Sequence, residues 1–486
     1  MENDFPDFAP RKFFWLVGLY FVLHVVIRIL ISGTVDLDES EQMVLTQKFA
    51  WGYGSQPPLY TWLQIVFFHI FGVSIFALAL LKNLLLFGIY SFTFLTARAV
   101  TRSNLGGVIA AICLLFIPQI VWESQRDLTH SVLAGLVTAA TLFFFLRLQR
   151  NRWSDYIILG LCFGLGILSK YNVAAVWFGL ILSALTLPKF RPAILHPKML
   201  LACAVGFATV FPHLRWAMTH PEALFSTANK FQQETASAFF SIVARGTGNM
   251  LVAILFHIGP LLVILSLVFW KKLRVQPLFS SDAAKLLWRQ YAFIIAGLFL
   301  AILILRVTGF KDRWFEPVFV TLPVLVVSLL PVELLRRKFR LISLLGSVVV
   351  VVVLLLIPGR IVFGEKLPRV LLLNAPFANL AHDLDMAIPS GSLILAENKW
   401  LAGNLRLQLP HRNVVTPKLA RLFDAREQHC VLVWDATKNS EPASAFQAFV
   451  REFAGGEAEQ PAIYFEKKYS FIYGKRFRLG VAELKK

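Results

Sequence analysis

The chain has 486 residues, 57% of them hydrophobic, and apolar runs of about twenty residues recur along most of its length, enough to cross a hydrocarbon core. That composition excludes an ordinary soluble domain, and the continuity of the runs argues against a β-barrel, whose strands alternate. The net charge is +19, but Lys and Arg lie in short clusters between apolar runs, which is how topology signals are placed and argues against a nucleic-acid partner.

Residues 13–31 form the first predicted span. Acids precede Arg11-Lys12 and no small-residue cleavage site follows the run, so it is expected to be retained rather than removed as a signal peptide. The next stretch, GTVDLDESEQMVLTQKFAWGYGSQPPLY, packs Asp36, Asp38, Glu39 and Glu41 into six residues and ends in a Pro-Pro step. Asp38 followed by Glu41 fits a capping box, N-cap and N3, for a helix through QMVLTQKFA. A cap needs one or two acids, however, not four beside a membrane. PPLYTWLQIVFFHIFG (57–72) carries Gln64 and His69 and is predicted as an interfacial helix along the outer leaflet, with Pro57 and Pro58 in its first turn.

Further spans are predicted at 76–97, 104–121, 131–147, 155–169, 171–188, 199–217, 249–270, 290–307, 317–334 and 341–358, about eleven in all. With residues 1–12 in the cytoplasm, every cytoplasmic connection is basic: Arg98 and Arg102; Arg147, Arg150 and Arg152; Lys189, Arg191 and Lys198; Lys271, Lys272, Arg274, Lys285 and Arg289; Arg336, Arg337, Lys338 and Arg340. The opposite loops, 32–75, 122–130, 218–248 and 308–316, hold the acids. The positive-inside rule then sets the orientation. From residue 360 charged residues become frequent and apolar runs short. SLILAEN, HCVLVWD and PAIYFEKKYSFIYG are predicted strands, and SAFQAFVREFA a helix. The expected organisation is a membrane domain over 1–359, with outer juxtamembrane helices in 36–75, and a soluble α/β domain over 360–486 on the outer face. Four cysteines, three of them inside apolar runs, form neither a disulfide framework nor a zinc spacing.

Other polar groups fall on the same face. WESQRDLTH places Glu123, Arg126, Asp127 and His130 between two spans, ILSKYN places Lys170 at a hairpin tip, and GFKDRWFEP places Lys311, Asp312, Arg313 and Glu316 at another. Each alone fits a solvated or snorkelling loop charge. Together they set carboxylates beside cations at one membrane boundary. That suits a phosphorylated lipid: cations hold the phosphate and a carboxylate activates an acceptor hydroxyl.

The order of these features resembles the GT-C membrane glycosyltransferases that use polyprenyl-phosphate sugars, among them protein O-mannosyltransferases and bacterial aminoarabinose lipid A transferases. LDESEQMVLTQKFAWG resembles the family's Asp-Glu motif at Asp38-Glu39, and SQPPLYTWL its Lys-Pro-Pro-Leu motif. SQRDLTHSVLA resembles the second acidic site at Asp127, GLGILSKYN the Leu-Thr-Lys-Gly tip at Lys170, and KDRWFEPVFVTLP the Arg-Tyr-x-x-Pro segment. The resemblance covers about residues 10–335. Two positions depart from it: Gln56 stands where the family often has Lys, and Glu41 where the aminoarabinose transferases have Arg. Both residues help those relatives hold the donor phosphate. The counter-charge here is therefore expected from Lys170 first, then Arg313, Arg126 or Lys48.

The resemblance implies an inverting glycosyltransferase that moves a sugar from polyprenyl (undecaprenyl) phosphate to an envelope glycolipid such as lipid A or core. It places the reaction at the outer face of a bacterial inner membrane, with the N-terminus cytoplasmic and the C-terminal domain periplasmic. Asp38 is the implied base, its loop being placed to meet an acceptor hydroxyl. Asp127 orients acceptor or base, and Glu39 completes the catalytic set. Gln56, Pro57, Tyr60, Trp314 and Glu123 are expected to line donor and acceptor, with neither metal nor cofactor. A protein acceptor is the first alternative; a transporter or flippase of lipid-linked saccharides and a non-catalytic scaffold are others. Polar groups gathered at one face rather than at mid-span weigh against transport; intact Asp38 and Asp127 weigh against a scaffold.

Overall fold

The structure, a computed structural model, describes residues 9–222, 238–270, 281–366, 370–417, 420, 423, 429–459 and 461–485. Lys271, Lys272 and Arg274, and the part 223–237 of an expected outer loop, lie outside the described residues. The eleven apolar runs are all helical over most of their length. Among the described residues seven helices are long and apolar enough to cross a membrane: Pro10–Ile31, Ile75–Thr101, His130–Arg150, Lys198–Thr219, Phe239–Phe269, Asp282–Leu305 and Val332–Val362. Asn104–Leu114 and Gln119–Arg126 make an eighth only as a pair bent by 73°. Trp153–Ser169, Val173–Leu185 and Glu316–Leu329 are shorter, so the full-length spans number fewer than the apolar runs. The reason is local. The Lys170-Tyr171-Asn172 turn forms the expected tip between two short helices, and Glu316–Leu329 is broken at Val320 before Pro323 restarts it. Leu59–Phe71 has only 13 residues and starts directly after Pro58.

Helices pack closely where small residues permit. Gly160 and Gly164 share one face of Trp153–Ser169, and a Cβ on Gly160 would lie 2.4 Å from the Ala202 carbonyl oxygen of Lys198–Thr219. At one end of the bundle the basic connections bond to each other. Arg147 Nε pairs with Asp155 Oδ1 at 3.0 Å, Lys198 Nζ donates to the Asn151 carbonyl at 2.6 Å, and Lys189 Nζ pairs with Asp282 Oδ2 at 3.0 Å. Arg289 Nη1 donates to the Thr186 carbonyl at 2.9 Å. The acid-bearing loops meet at the other end.

Among its described residues the C-terminal part carries six strands, β1 (Leu393–Ala396), β2 (Val414–Val415), β3 (Cys430–Asp435), β4 (Glu457–Ala458), β5 (Ile463–Lys468) and β6 (Arg476–Lys485). β1 runs parallel to β2 and β3; β6 pairs antiparallel with β3 on one side and with β4 and β5 on the other. The three predicted strands are β1, β3 and β5, and the predicted helix is Ser444–Ala454. Two further helices, Phe377–Ala387 and Lys399–Gln408, and β6 complete the layer.

This domain grips the membrane part through the first acidic segment. Val44 and Leu45 of helix Leu37–Leu45 lie in one core with Phe377, Leu380, Leu401, Leu405, Phe477 and Val481. Met43, on another face, packs with Phe68, Ala77 and Leu78. Burying each such side chain is worth about 1.5–3 kcal/mol. The juxtamembrane acidic helix is therefore a shared element, not one packed on the membrane domain alone.

Candidate active site

Helix Leu37–Leu45 is capped by Asp36, whose backbone is extended (φ −80°, ψ −175°) and whose carboxylate accepts from the Leu37 N–H at 2.8 Å. The cap thus sits two residues before the Asp38–Glu41 box expected from sequence, because Asp36 is the last extended residue. Asp38 and Glu41 both fall inside the helix with their carboxylates available for other work.

Asp38 and its neighbour Glu39 face opposite surroundings. Glu39 is fully buried, its two oxygens held by Arg28 Nη2 at 2.8 Å and Lys82 Nζ at 2.9 Å. Burial alone pushes its acidity down; Arg28 and Lys82 more than reverse this and hold its pKa at about 2. Arg28 also donates to the Ser32 and Thr34 carbonyls at 3.2 and 2.8 Å, tying the first span to the acidic helix. Glu39 is a locked counter-ion here, whereas the sequence placed it beside Asp38 in the catalytic set.

Asp38 points to the other side. Its N–H donates to Asp127 Oδ1 at 2.8 Å, and its Oδ1 lies 3.8 Å from Lys399 Nζ. Lys399 Nζ also donates to Glu41 Oε2 at 2.6 Å. Burial raises the Asp38 pKa; Lys399 lowers it, Glu41 raises it, and Arg313 and Lys82 lower it further. Asp127 is raised to about 7, first by burial and then by the charges of Asp38 and Asp36, against the Asp38 N–H and Lys82. Two neighbouring carboxylates disfavour each other's charge. Burial pushes both toward the protonated form, and the Lys399 ammonium beside Asp38 favours its charged form.

Behind them, Thr61 Oγ1 donates to Gln42 Oε1 at 2.9 Å, Gln42 Nε2 lies 3.3 Å from His130 Nε2, and the Tyr60 ring centroid is 5.5 Å from that of His130. The Pro-Pro helix is thereby fixed to the inner face of the acidic helix. Pro57 is buried and Gln56 half-buried in the loop leading to it.

The expected cations divide. Lys170 is buried, not solvated, and donates to Ser131 Oγ at 2.6 Å and the Arg313 carbonyl at 3.1 Å. Asn172 Nδ2 donates to the Trp314 carbonyl at 2.7 Å, so the two hairpin tips are joined. The Arg313 side chain is exposed, and its charge acts on Asp38. Arg126 is committed to Glu123, with Nη2 and Nε at 2.5 and 3.1 Å from the same oxygen. Lys48 Nζ sits 4.5 Å above the Phe423 ring of the C-terminal domain. Lys170 and Arg313 are thus brought together, while Arg126 and Lys48 are engaged elsewhere. Among the described residues no group of three His, Cys, Asp or Glu side chains is arranged to hold a metal ion.

Sequence reasoning missed Arg28, Lys82 and Lys399. For Lys82 a signal existed: a lysine inside ALALLKNLLL needs a buried partner. For Lys399 there was the helix-start pattern of Asn398, whose side chain accepts from the Leu401 N–H at 3.0 Å, but nothing local linked it to Asp38.

Residues 55–216 match the family model described as dolichyl-phosphate-mannose-protein mannosyltransferase. Lipopolysaccharide core galacturonosyltransferase RgtB of Rhizobium johnstonii (strain DSM 114642 / LMG 32736 / 3841) is 36% identical over 407 residues, covering 82% of this chain and 81% of that protein. Lipopolysaccharide core galacturonosyltransferase RgtA of the same strain is 30% identical, covering 88% of each. The crystal structure of ArnT from Cupriavidus metallidurans bound to undecaprenyl phosphate superposes with a TM-score of 0.62 at 14% identity, covering 97% of this chain and 98% of that one.

Proposed function

The chain belongs to the GT-C membrane glycosyltransferases that use polyprenyl-phosphate sugars, and from that premise we propose that it moves a hexuronosyl group, galacturonosyl by analogy with its relatives, from undecaprenyl phosphate to the lipopolysaccharide core at the outer face of the inner membrane. A glycosyltransferase acting on lipopolysaccharide is what these relatives have in common. The particular sugar, acceptor and membrane face belong to the proposal.

Asp38 is the general base. It takes the proton of an acceptor hydroxyl as that oxygen attacks the anomeric carbon. The bond from that carbon to the phosphate oxygen breaks, undecaprenyl phosphate leaves with the electron pair, and the configuration inverts. Asp127, whose pKa is raised to about 7, accepts from the Asp38 N–H and orients the base. Lys170 and Arg313, at their joined tips, meet the charge that grows on the leaving phosphate. Glu39 holds the helix in place through Arg28 and Lys82 and takes no proton. The observation that supports this assignment best is the displacement of the cap to Asp36, which leaves Asp38 against Asp127 and Lys399 rather than on the helix end.

Mass spectrometry of core oligosaccharide from cells with and without the protein tests it. A hexuronosyl increment is expected with the wild type. With Asp38→Asn, present at normal levels, the increment falls about a hundredfold or more, because the amide cannot accept a proton. Near wild-type modification by Asp38→Asn would remove the base assignment.

A further inference from the structure

We propose that Lys399, carried by the C-terminal domain, is a positioning residue of the transfer site: its ammonium bridges Glu41 and Asp38 and holds the Asp38 carboxylate in place in its charged form. This rests on Asp38 as the base.

The geometry leaves the lysine little choice. Helix Lys399–Gln408 starts at Asn398, so Lys399 is its first residue. A cation there opposes the helix dipole, and no acid of its own first turn offsets it. The compensation comes from across the interface, from Glu41 at 2.6 Å and Asp38 at 3.8 Å. One turn on, on the same face, Gly403 touches the acidic helix so closely that a Cβ would lie 2.4 Å from the Ser40 Cα and carbonyl oxygen. Asn404, fully buried, locks the register: its Oδ1 accepts from the Val35 N–H at 2.9 Å and its Nδ2 donates to the Val35 carbonyl at 3.1 Å. The docking helix can neither slide nor roll, and Lys399 is delivered beside the acids on either side of Ser40.

The charge balance around Asp38 says why a cation is required. On its own helix Asp38 neighbours Asp36, Glu39 and Glu41; the loop before His130 brings Asp127. Against these stand Lys82, already paired with Glu39 at 2.9 Å, Arg313 on an exposed tip, and Lys399. Removing Lys399 would leave Asp38 among like charges in a half-buried setting, where the protonated acid is favoured and a base is lost.

The test reads Asp38 directly in the purified full-length protein, using dicyclohexylcarbodiimide, which takes only a protonated acid, and mapping the adduct by peptide mass spectrometry across pH. In Lys399→Gln the labelling midpoint moves to higher pH, and the labelling rate near neutrality rises about tenfold. Lys399→Arg keeps the wild-type midpoint. Glu41→Gln moves it the other way, because a like charge beside Asp38 is lost; a purely structural role of Lys399 would not be rescued by Lys399→Arg with the midpoint restored. An unmoved midpoint in folded Lys399→Gln overturns the proposal. If that variant does not fold, Lys399→Met takes its place, and an unmoved midpoint there overturns it equally. The acid limb of turnover with undecaprenyl-phosphate galacturonic acid and core acceptor is measured in parallel. Shifted labelling with an unshifted limb keeps Lys399 as the partner of Asp38 and sinks the base reading instead.

Discussion

Adjacent carboxylates on one helical turn have been given opposite tasks. Glu39, with a pKa of about 2 against an ordinary 4.5, is depressed in the folded state. Its contribution to stability is therefore fully present above 4.5 and is lost as pH falls toward about 2. Glu39→Gln should destabilise the protein by about 3 kcal/mol or more, since it leaves the Lys82 ammonium buried without its counter-charge. Thermal melting in detergent would show this, with a flatter acid profile in the variant; a melt identical to wild type would mean the two cations are satisfied without it. Asp38 was legible in the sequence because four acids beside a membrane exceed what capping needs. Which acid caps was not, since that depends on whether Asp36 or Asp38 is the last extended residue, a backbone property that neighbouring side chains do not reveal.

Between elements, the decisive contact is the crossing of Lys399–Gln408 over Leu37–Leu45. Gly403→Ala would force a methyl group against the Ser40 backbone, which cannot yield as a side-chain end would. Overpacking of this kind costs about 1–3 kcal/mol. The expected outcome is a lowered melting temperature, faster proteolysis in the segment before Phe377, and loss of transfer, with the membrane helices intact. Unchanged proteolysis and activity would show that the crossing relaxes without consequence. Phe377, Leu380, Ala381 and Leu384 follow helical spacing, and Phe477, Leu479 and Val481 alternate as a strand should. These elements were readable in principle. At 11 and 10 residues they were hidden by much longer apolar runs elsewhere, and the docking they make lies in the pairing of residues 369 positions apart, as Val35 and Asn404 are.

The whole molecule has a basic end, tied by Arg147–Asp155 and Lys189–Asp282, and an acidic end carrying the candidate site. Reporter fusions after residues 100 and 150 should lie in the cytoplasm, and fusions after 45, 127 and 400 outside, following the basic clusters. A cytoplasmic reporter at 400 would put the site on the wrong side for the proposed reaction. The helical membrane architecture was plain from apolar runs, as was the Lys170 tip, but the break at Val320 was not, because it falls inside the continuous apolar run 317–334. The core shared by Val44 and Leu45 with Phe477, Leu479 and Val481 also orders events during translation. The acidic helix leaves the ribosome early, yet the strand that finishes its covering is made among the last segments described. Until β6 slots between β3 and β5, Val44 and Leu45 lack the part of their cover that Phe477, Leu479 and Val481 supply. A stop codon just before β6 is expected to leave that face of the acidic helix partly bare and to abolish transfer while the membrane helices remain.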